Sequence, residues 1–518
     1  MGLALIEKHH KPLRSVLYNY LGRFGAQLIG LLVAIYVIRR LPVEDFGRYS
    51  VLVSMLMYVS VLTSLGMNNV LQRYIPELST HKQFREINRL VCLAVIGRLI
   101  LSTIAVGVLM VLSEPLGNFL NISNLLMALQ VYGPAMVLTV VGDMLDVVLT
   151  SMLQQKAANS AMFLTVLFRG LGFYYVLNHD LGLYGLLLVE LIAAGIRVTI
   201  LAWSYLARAL WASKHVQAVA TRHLDRKRIL RYGSWAYLND LGGIFFNQYT
   251  DNFIISNYLG QASVAGYAFA NRTVAMVSSW SPVTVASNVI TPLFFERYTE
   301  TGDSGELDHM FGMLNKMAYA FSLPILAGTL GLGDRFVSVL FGEKYVPFTW
   351  LFIGVLVYTV LNQYQYPLGL VVFAVERNQI NFFSRIFSLY NLIAGIVLVR
   401  YWGLAGVLLA TASAVSCKNL LIYIWIRREV VLSWNWPVLG KLLFNSFFVG
   451  LLAWIGRRWV TDIISLVLTV LVCGIAYAIL TLVTGVLSDD EIKLINRTAG
   501  RHILPISAWW SPMADDSD

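Results

Sequence analysis

Apolar runs of about twenty residues, parted by short polar joints, recur along the whole 518-residue chain. A helix of that length crosses the ~30 Å hydrocarbon core of a bilayer. The runs are unbroken and lack the apolar–polar alternation of a membrane barrel strand. Hydrocarbon offers no partner to backbone N–H and C=O groups, so such runs form helices, which satisfy those groups internally. The pattern predicts about fourteen spans, the first six at 16–38, 49–70, 90–112, 125–149, 158–177 and 183–206. Six more follow at 232–259, 264–290, 313–332, 348–373, 382–399 and 404–426, and the last two at 439–455 and 463–487. The expected fold class is an all-α polytopic membrane protein.

The chain also resembles itself. Gln155-Lys156-Ala157 has a counterpart in Glu376-Arg377-Asn378, and Gly182-Leu183-Tyr184-Gly185 matches Gly403-Leu404-Ala405-Gly406 at the same offset. Glu114-Pro115-Leu116-Gly117 precedes Asp334-Arg335-Phe336-Val337 by nearly the same interval, and Leu41 to Tyr49 resembles Leu259 to Tyr267. A near-constant offset at four successive places predicts a duplication. The expected domains are a six-helix lobe at 1–207, a basic cytoplasmic linker at 208–231 and a second lobe at 232–430. Two additional transmembrane helices at 431–488 and a cytoplasmic tail at 489–518 complete the chain. Six spans per lobe is an even number, so the repeats are parallel, related by an axis along the membrane normal. Lobes of this kind pack around a central cavity that opens to either side, the architecture of an alternating-access transporter. A membrane scaffold or an intramembrane enzyme with duplicated halves is the competing reading.

Composition agrees with lipid as the solvent: 57% of residues are hydrophobic and 13% charged, against about 25% charged in soluble domains. The net charge of +10 does not point to nucleic acid, because the charges sit in short joints between apolar runs. With the N-terminus in the cytoplasm, and Lys316 and Lys441 at the cytoplasmic ends of their spans counted with the loops, 24 of the 39 basic residues fall on the cytoplasmic side, 8 on the opposite side and 7 deeper within spans. The positive-inside rule therefore predicts that both termini are cytoplasmic. Cys92, Cys417 and Cys473 lie in apolar stretches at unrelated spacings and read as packing residues. No cleavable signal peptide is expected, since the first apolar run is too long and lacks a small-residue cleavage site.

The basic residues within spans are Arg23, Arg98, Arg169, Arg197, Arg272, Arg385 and Lys418. Charge at membrane depth is costly, so such groups face a cavity or a partner. Arg385 lies about one turn from a cytoplasmic end and is expected to snorkel; Arg98 and Arg169 are open between structural pairing and a cavity. Asn19, Arg23 and Gln27 recur every four residues on one face of the first helix. Arg272, with Asn271 before it and Ser279 two turns on, gives the eighth span a polar face. Arg197 and Lys418 are separated by the repeat offset, so the duplication puts one cation at an equivalent place in each lobe. These cations predict a basic cavity and an anionic substrate, with arginine suited to phosphate by its planar fork. Asp240, Asn247 and Asp251, at i, i+7 and i+11, form one stripe on the seventh span that would couple a cation or balance the arginines. Asp143 and Asp146 share a face near a helix end and are expected to be solvated.

There is no phosphate-binding Gly-x-x-x-x-Gly-Lys motif, no His or Cys cluster with metal spacing, and no long loop to house a catalytic domain. An enzyme is not expected, nor a cofactor beyond coupling to Na+ or H+.

The segment Arg39-Arg40-Leu41-Pro42-Val43-Glu44-Asp45-Phe46-Gly47-Arg48-Tyr49 resembles the first-loop signature of bacterial polysaccharide biosynthesis flippases. Leu65-Gly66-Met67, with Arg73-Tyr74 and Glu77, resembles the family's segment at the end of the second span, and Leu340-Phe341-Gly342-Glu343-Lys344-Tyr345 is similar to its Gly-x-x-Tyr element. The resemblance covers essentially the whole chain and implies membership of the multidrug/oligosaccharidyl-lipid/polysaccharide (MOP) superfamily. It implies a flippase in the bacterial inner membrane that moves undecaprenyl-diphosphate-linked oligosaccharide from the cytoplasmic to the periplasmic leaflet. Implied partners are that polyprenyl-diphosphate glycan, the bilayer, and a polysaccharide polymerase with its chain-length regulator. By position, Arg23 and Arg272 correspond to cavity arginines of related lipid flippases. A drug/cation antiporter and a peptidoglycan-precursor flippase of the same superfamily are the nearest alternatives, and a non-transporting scaffold for polysaccharide enzymes is the alternative of another class.

Overall fold

The computed structural model describes residues 10–81, 83–215 and 226–486, and side chains from Gly25 onward, save 209–215, 226 and a few scattered positions. The expected cytoplasmic tail and the middle of the basic 208–231 segment lie outside the described residues. Helices occupy nearly all the rest, with no strand among the described residues. The first eight are α1 (His10–Arg40), α2 (Val43–Leu62), α3 (Met67–Thr80), α4 (Phe84–Val111), α5 (Ser113–Phe119), α6 (Leu125–Ser151), α7 (Gln155–Asn178) and α8 (Gly182–His215). Then come α9 (Arg226–Ile244), α10 (Gln248–Leu259), α11 (Gln261–Ser279), α12 (Pro282–Thr301) and α13 (Ser304–Phe341). A 3-10 turn at Glu343–Phe348 leads into α14 (Thr349–Leu361), α15 (Gln365–Ala374), α16 (Asn378–Phe383), α17 (Ile386–Ile426), α18 (Trp436–Gly456) and α19 (Ile463–Val483).

Nine helical segments are long and apolar enough to cross a bilayer among the described residues, or ten with α2 and α3 taken as one bent span. The expected count of fourteen is not reached: the pairs α9–α10 and α11–α12 are not among these segments, and α1 is described with side chains only from Gly25. The segment 379–426 counts once, although Gly403 (φ 56°, ψ −133°) folds α17 back on itself. Its counterpart in the sequence match, Gly182, also has a positive φ of 61°. Asn121 (φ 52°) and Gly342 (φ 94°) form a second such pair at the same separation. Left-handed turns thus recur at the interval that the sequence matches define. The lipid-facing character is plain in α19, whose most apolar stretch is only 11% buried.

The contacts divide the chain into two compact units. The first comprises residues 1–273 and 381–418. Here α6 packs against α8, α4 and α3, and Leu71, Ile75, Ile87, Val91, Met144, Val148, Leu149 and Leu201 are buried together. Two glycines of the signature segments explain themselves by space. A Cβ on Gly47, near the start of α2, would lie 2.0 Å from the Gln261 carbonyl oxygen. Gly66 has φ 70°, and a Cβ there would lie 2.1 Å from the Gly233 carbonyl oxygen. At that residue the chain turns by 53° between α2 and α3, which lays α3 on α9.

The second unit comprises residues 274–380 and 419–518. Asp303 caps α13 through the Gly305 N–H, Asn435 caps α18 through Val438, and Asp462 forms a capping box with Ser465 on α19. α13 and α18 lie along one another, with Gly331 against the Gly450 carbonyl and Gly450 against that of Ala327. Small residues at such a crossing let helix backbones approach closely in lipid.

Adding a methyl where backbone already sits should displace a helix. Gly47→Ala and Gly66→Ala are each expected to cost about 2 kcal/mol, read as a lowered thermal midpoint in detergent. Gly97→Ala, where a Cβ meets nothing within 4 Å, should leave the midpoint unchanged. Equal midpoints for all three would remove the steric account.

Candidate functional site

The charged groups at membrane depth in the first unit gather into four clusters, each built across helices. In the first, α8 supplies Glu190, whose carboxylate accepts from the Tyr49 hydroxyl of α2 at 2.7 Å. The same oxygen lies 3.6 Å from the Arg169 guanidinium of α7. Arg272 of α11 is within electrostatic reach of Tyr49 and makes no ion pair with a described carboxylate. The Tyr of the signature segment therefore anchors α2 to a pair formed by α7 and α8, and Arg272 stands beside it without an ion pair among the described residues.

The second cluster surrounds Asp240 on α9. Asn69 of α3 donates to its carboxylate at 3.1 Å, and Arg385 lies within electrostatic reach. The Arg385 guanidinium donates to Asn239 at 3.1 Å; its stem lies along Gly242, and a Cβ on Gly243 would come within 3.0 Å of a guanidinium nitrogen. The Lys418 ammonium of α17 sits 5.3 Å from the Phe246 ring and feels Arg385 as a like charge. Lys418 has no described carboxylate partner. Arg385, read from sequence as a snorkelling residue, is instead packed on α9.

The third cluster depends on a break in the chain. α9 ends at Ile244 and α10 begins at Gln248, so helical hydrogen bonding is interrupted. The Thr250 hydroxyl donates to the Ile244 carbonyl at 3.1 Å, and Asn391 donates to the Phe245 carbonyl at 2.9 Å. Beyond the break Asp251 is 1% exposed. Its carboxylate accepts from the Tyr267 hydroxyl at 2.7 Å and the Thr411 hydroxyl at 2.9 Å, with Asn391 also bonded to it. Thr411 also reaches the Asn391 carbonyl oxygen at 3.2 Å. A buried carboxylate ringed by neutral oxygen and amide groups is suited to holding a proton or a small cation. Asp240, Asn247 and Asp251, expected on one continuous helical stripe, lie on either side of a helix break at 245–247 and differ in surroundings: Asp251 is buried, Asp240 bonds Asn69 and Asn247 is exposed.

In the fourth cluster Arg197 of α8 pairs with Asp143 of α6 at 2.5 Å, and Arg98 of α4 lies within electrostatic reach of the same carboxylate. Arg98 is 2% exposed and donates to the Ser60 carbonyl at 2.8 Å. Asp143, expected to be solvated, thus compensates the cation that had been read as free.

Of the other predicted residues, the side chains of Arg23 and Asn19 lie outside the described residues, on α1. Gln27, on the same helix, is exposed. Sequence reasoning did not place Glu190 with Arg169, nor Tyr267, Thr411 and Asn391 with Asp251. Each of those partners comes from a different helix, so no spacing along the chain signals it. Among the described residues no group of three or more His, Cys, Asp or Glu is placed to hold a metal.

The fold is that of MOP-superfamily transporters. A solved lipid II flippase, MurJ in an inward closed conformation, superposes with a TM-score of 0.66 at 15% identity, covering 94% of this chain and 100% of that one. An inward-facing multidrug MATE transporter of the MOP superfamily superposes with a TM-score of 0.64 at 15% identity, covering 78% of this chain and 94% of that one. Residues 37–349 match the family described as polysaccharide biosynthesis protein, and the chain belongs to that family. A Haloferax volcanii protein named a probable low-salt glycan biosynthesis flippase is 20% identical over 279 residues, which span 53% of this chain and 58% of the relative. A lipopolysaccharide biosynthesis protein of Escherichia coli K12 is 24% identical over 204 residues, 39% of this chain and 40% of the relative.

Arg197→Ala leaves Asp143 without its partner and should lower stability by on the order of 1 kcal/mol, the discount reflecting the partial exposure of both groups. Arg272→Ala breaks no described ion pair and should leave the thermal midpoint of the purified protein unchanged. A destabilised Arg272→Ala would mean that this arginine serves the fold.

Proposed function

We propose that this protein is a lipid-linked oligosaccharide flippase that carries undecaprenyl-diphosphate-linked units from the cytoplasmic to the periplasmic leaflet by alternating access. The observation that carries the reading is the pair of cations at membrane depth, Arg272 and Lys418, that face no described carboxylate partner. Uncompensated charge in lipid is expensive, and a pyrophosphate provides the missing counter-charge, with arginine holding it bidentately. Membership of the polysaccharide biosynthesis family and relatives named for glycan and lipopolysaccharide biosynthesis support a glycan cargo. In this reading Arg23, Asn19 and Gln27 of α1 join Arg272 and Lys418 at the substrate, and Arg197 acts through Asp143. Asp251 with Tyr267, Thr411 and Asn391 holds the coupling H+ or Na+, while Asp240 balances Arg385. Two parallel lobes at 1–207 and 232–430 alternate around the cargo, with 431–488 as added spans and both termini cytoplasmic. A polysaccharide polymerase and its chain-length regulator act on the delivered units.

A peptidoglycan-precursor flippase is the second reading, favoured by a likeness to the lipid II flippase that runs over 94% of this chain. It shares the polyprenyl-diphosphate chemistry and differs in the glycan. A cation-exporting antiporter fits poorly with uncompensated basic residues.

Replacing Arg23 and Arg272 together by Ala should abolish surface polysaccharide, with the protein still in the membrane; normal polysaccharide would end the assignment of those two residues. In proteoliposomes carrying a labelled polyprenyl-diphosphate glycan, the wild type should move label between leaflets, whereas no movement would favour a scaffold. Asp251→Asn should retain binding of that glycan while losing the response of transport to a Na+ or proton gradient. An unaltered gradient response would take the coupling role away from Asp251.

A further inference from the structure

Within the first unit, two helix ends from different sequence repeats cap each other. α5 ends at Phe119 and α10 at Leu259, and the last four carbonyls of a helix lack partners inside it. Asn121, in a left-handed turn with φ 52°, donates from its amide to the Ser256 and Asn257 carbonyls, each at 2.9 Å. In return Asn257 donates to the Phe119 carbonyl at 2.6 Å, and Gln261 donates to that of Leu120 at 2.7 Å. The Ser256 hydroxyl joins Gln261 on the Leu120 carbonyl. The two helix ends carry partial charge of the same sign, which opposes their contact.

The polar line continues inward between α10 and α2. Asn252 donates to the Ser54 hydroxyl at 3.0 Å, and the Tyr58 and Thr250 hydroxyls lie 2.6 Å apart. Thr250 gives its own proton to the Ile244 carbonyl, so parting from Tyr58 would leave that carbonyl of the α9–α10 break satisfied. Contacts inside the first repeat are of another kind: Met144, Val148 and Leu149 of α6 are buried with Val91 of α4 and Leu201 of α8. Separating apolar surfaces in water is costly in proportion to their area. A polar seam parts at little cost where water can take up each freed donor and acceptor.

We infer that this seam is the exit gate, with α10 parting from α2 and from residues 119–121 to open the cargo's path to the face opposite the termini. Asn121 and Gln261 set how tightly it shuts, and in the present conformation it is shut. The inference rests on the alternating-access reading with both termini cytoplasmic, which puts 119–121 and 256–261 at the far ends of the third and seventh spans.

The test uses a variant with Cys92, Cys417 and Cys473 replaced by Ser and carrying Ser54→Cys, a position wholly buried in the seam. In right-side-out vesicles a membrane-impermeant maleimide should label it slowly. Removing the capping amides with Asn121→Ala and Gln261→Ala should raise the rate about tenfold. Ala135→Cys, buried on α6 within the first repeat, should stay unlabelled with or without those substitutions. An unchanged rate at Ser54→Cys would overturn the inference. So would an equal rise at Ala135→Cys, because the substitutions would then be loosening the fold at large. In proteoliposomes, Asn121→Cys joined to Asn257→Cys by a short cleavable cross-linker should stop movement of a labelled polyprenyl-diphosphate glycan, and cleavage should restore it. Full transport with the cross-link in place would also overturn the inference. No transport before cross-linking would count against the transport reading alone, and the labelling rates would still decide the seam.

Discussion

Everything placed at membrane depth in this molecule answers to one constraint: a backbone carbonyl released from a helix in lipid needs a partner from protein. Where α9 gives way to α10, the carbonyls of Ile244 and Phe245 are taken up by Thr250 and Asn391. Asn391 also engages Asp251, so the group that repairs the break belongs to the same network as the buried carboxylate. Tyr58 ties Thr250 to α2 through a 2.6 Å contact between hydroxyls, and Asn252 reaches Ser54 on the same helix at 3.0 Å. The broken span is thus held by side chains of α2 and α17, and its polarity is a condition of the break.

The same economy governs the charges. Glu190 serves Arg169 and Tyr49 together, and Asp143 stands between Arg197 and Arg98. Carboxylates shared in this way neutralise the arginines that hold neighbouring helices, leaving Arg272 and Lys418 as groups whose charge the described protein does not cancel. What separates the two kinds of cation is the company each keeps across the helix interfaces.

Helix positions were legible in the sequence because the apolar runs that form them are local. The recurring turns were legible too, and the left-handed residues Gly182 and Gly403 show what the Gly-Leu-x-Gly matches encode. The breaks were not: nothing between Ile244 and Gln248 forbids a helix, and Asn391, which stabilises the interruption, lies 146 residues beyond Phe245 in α17. Gly47 and Gly66 could be read as family marks, but the carbonyls of Gln261 and Gly233 that exclude a methyl are visible only in three dimensions. Among the candidate residues, it was the pairing that escaped a reading along the chain. Arg197 was taken for a free cation because Asp143 stands 54 residues off on another helix.

The low burial of α19, which packs on α18 and α13 along one side only, ties this element to the bilayer itself. Its 21 residues extend about 31 Å, close to the ~30 Å hydrocarbon thickness of a typical membrane. Its cap, Asp462 with Ser465, sets one end in water, and its exposed leucines, isoleucines and valines have mostly lipid for company. A thicker or thinner bilayer would have to be met by tilt or by local deformation of the lipid. The stability of this part of the chain is therefore a property shared with the membrane that surrounds it.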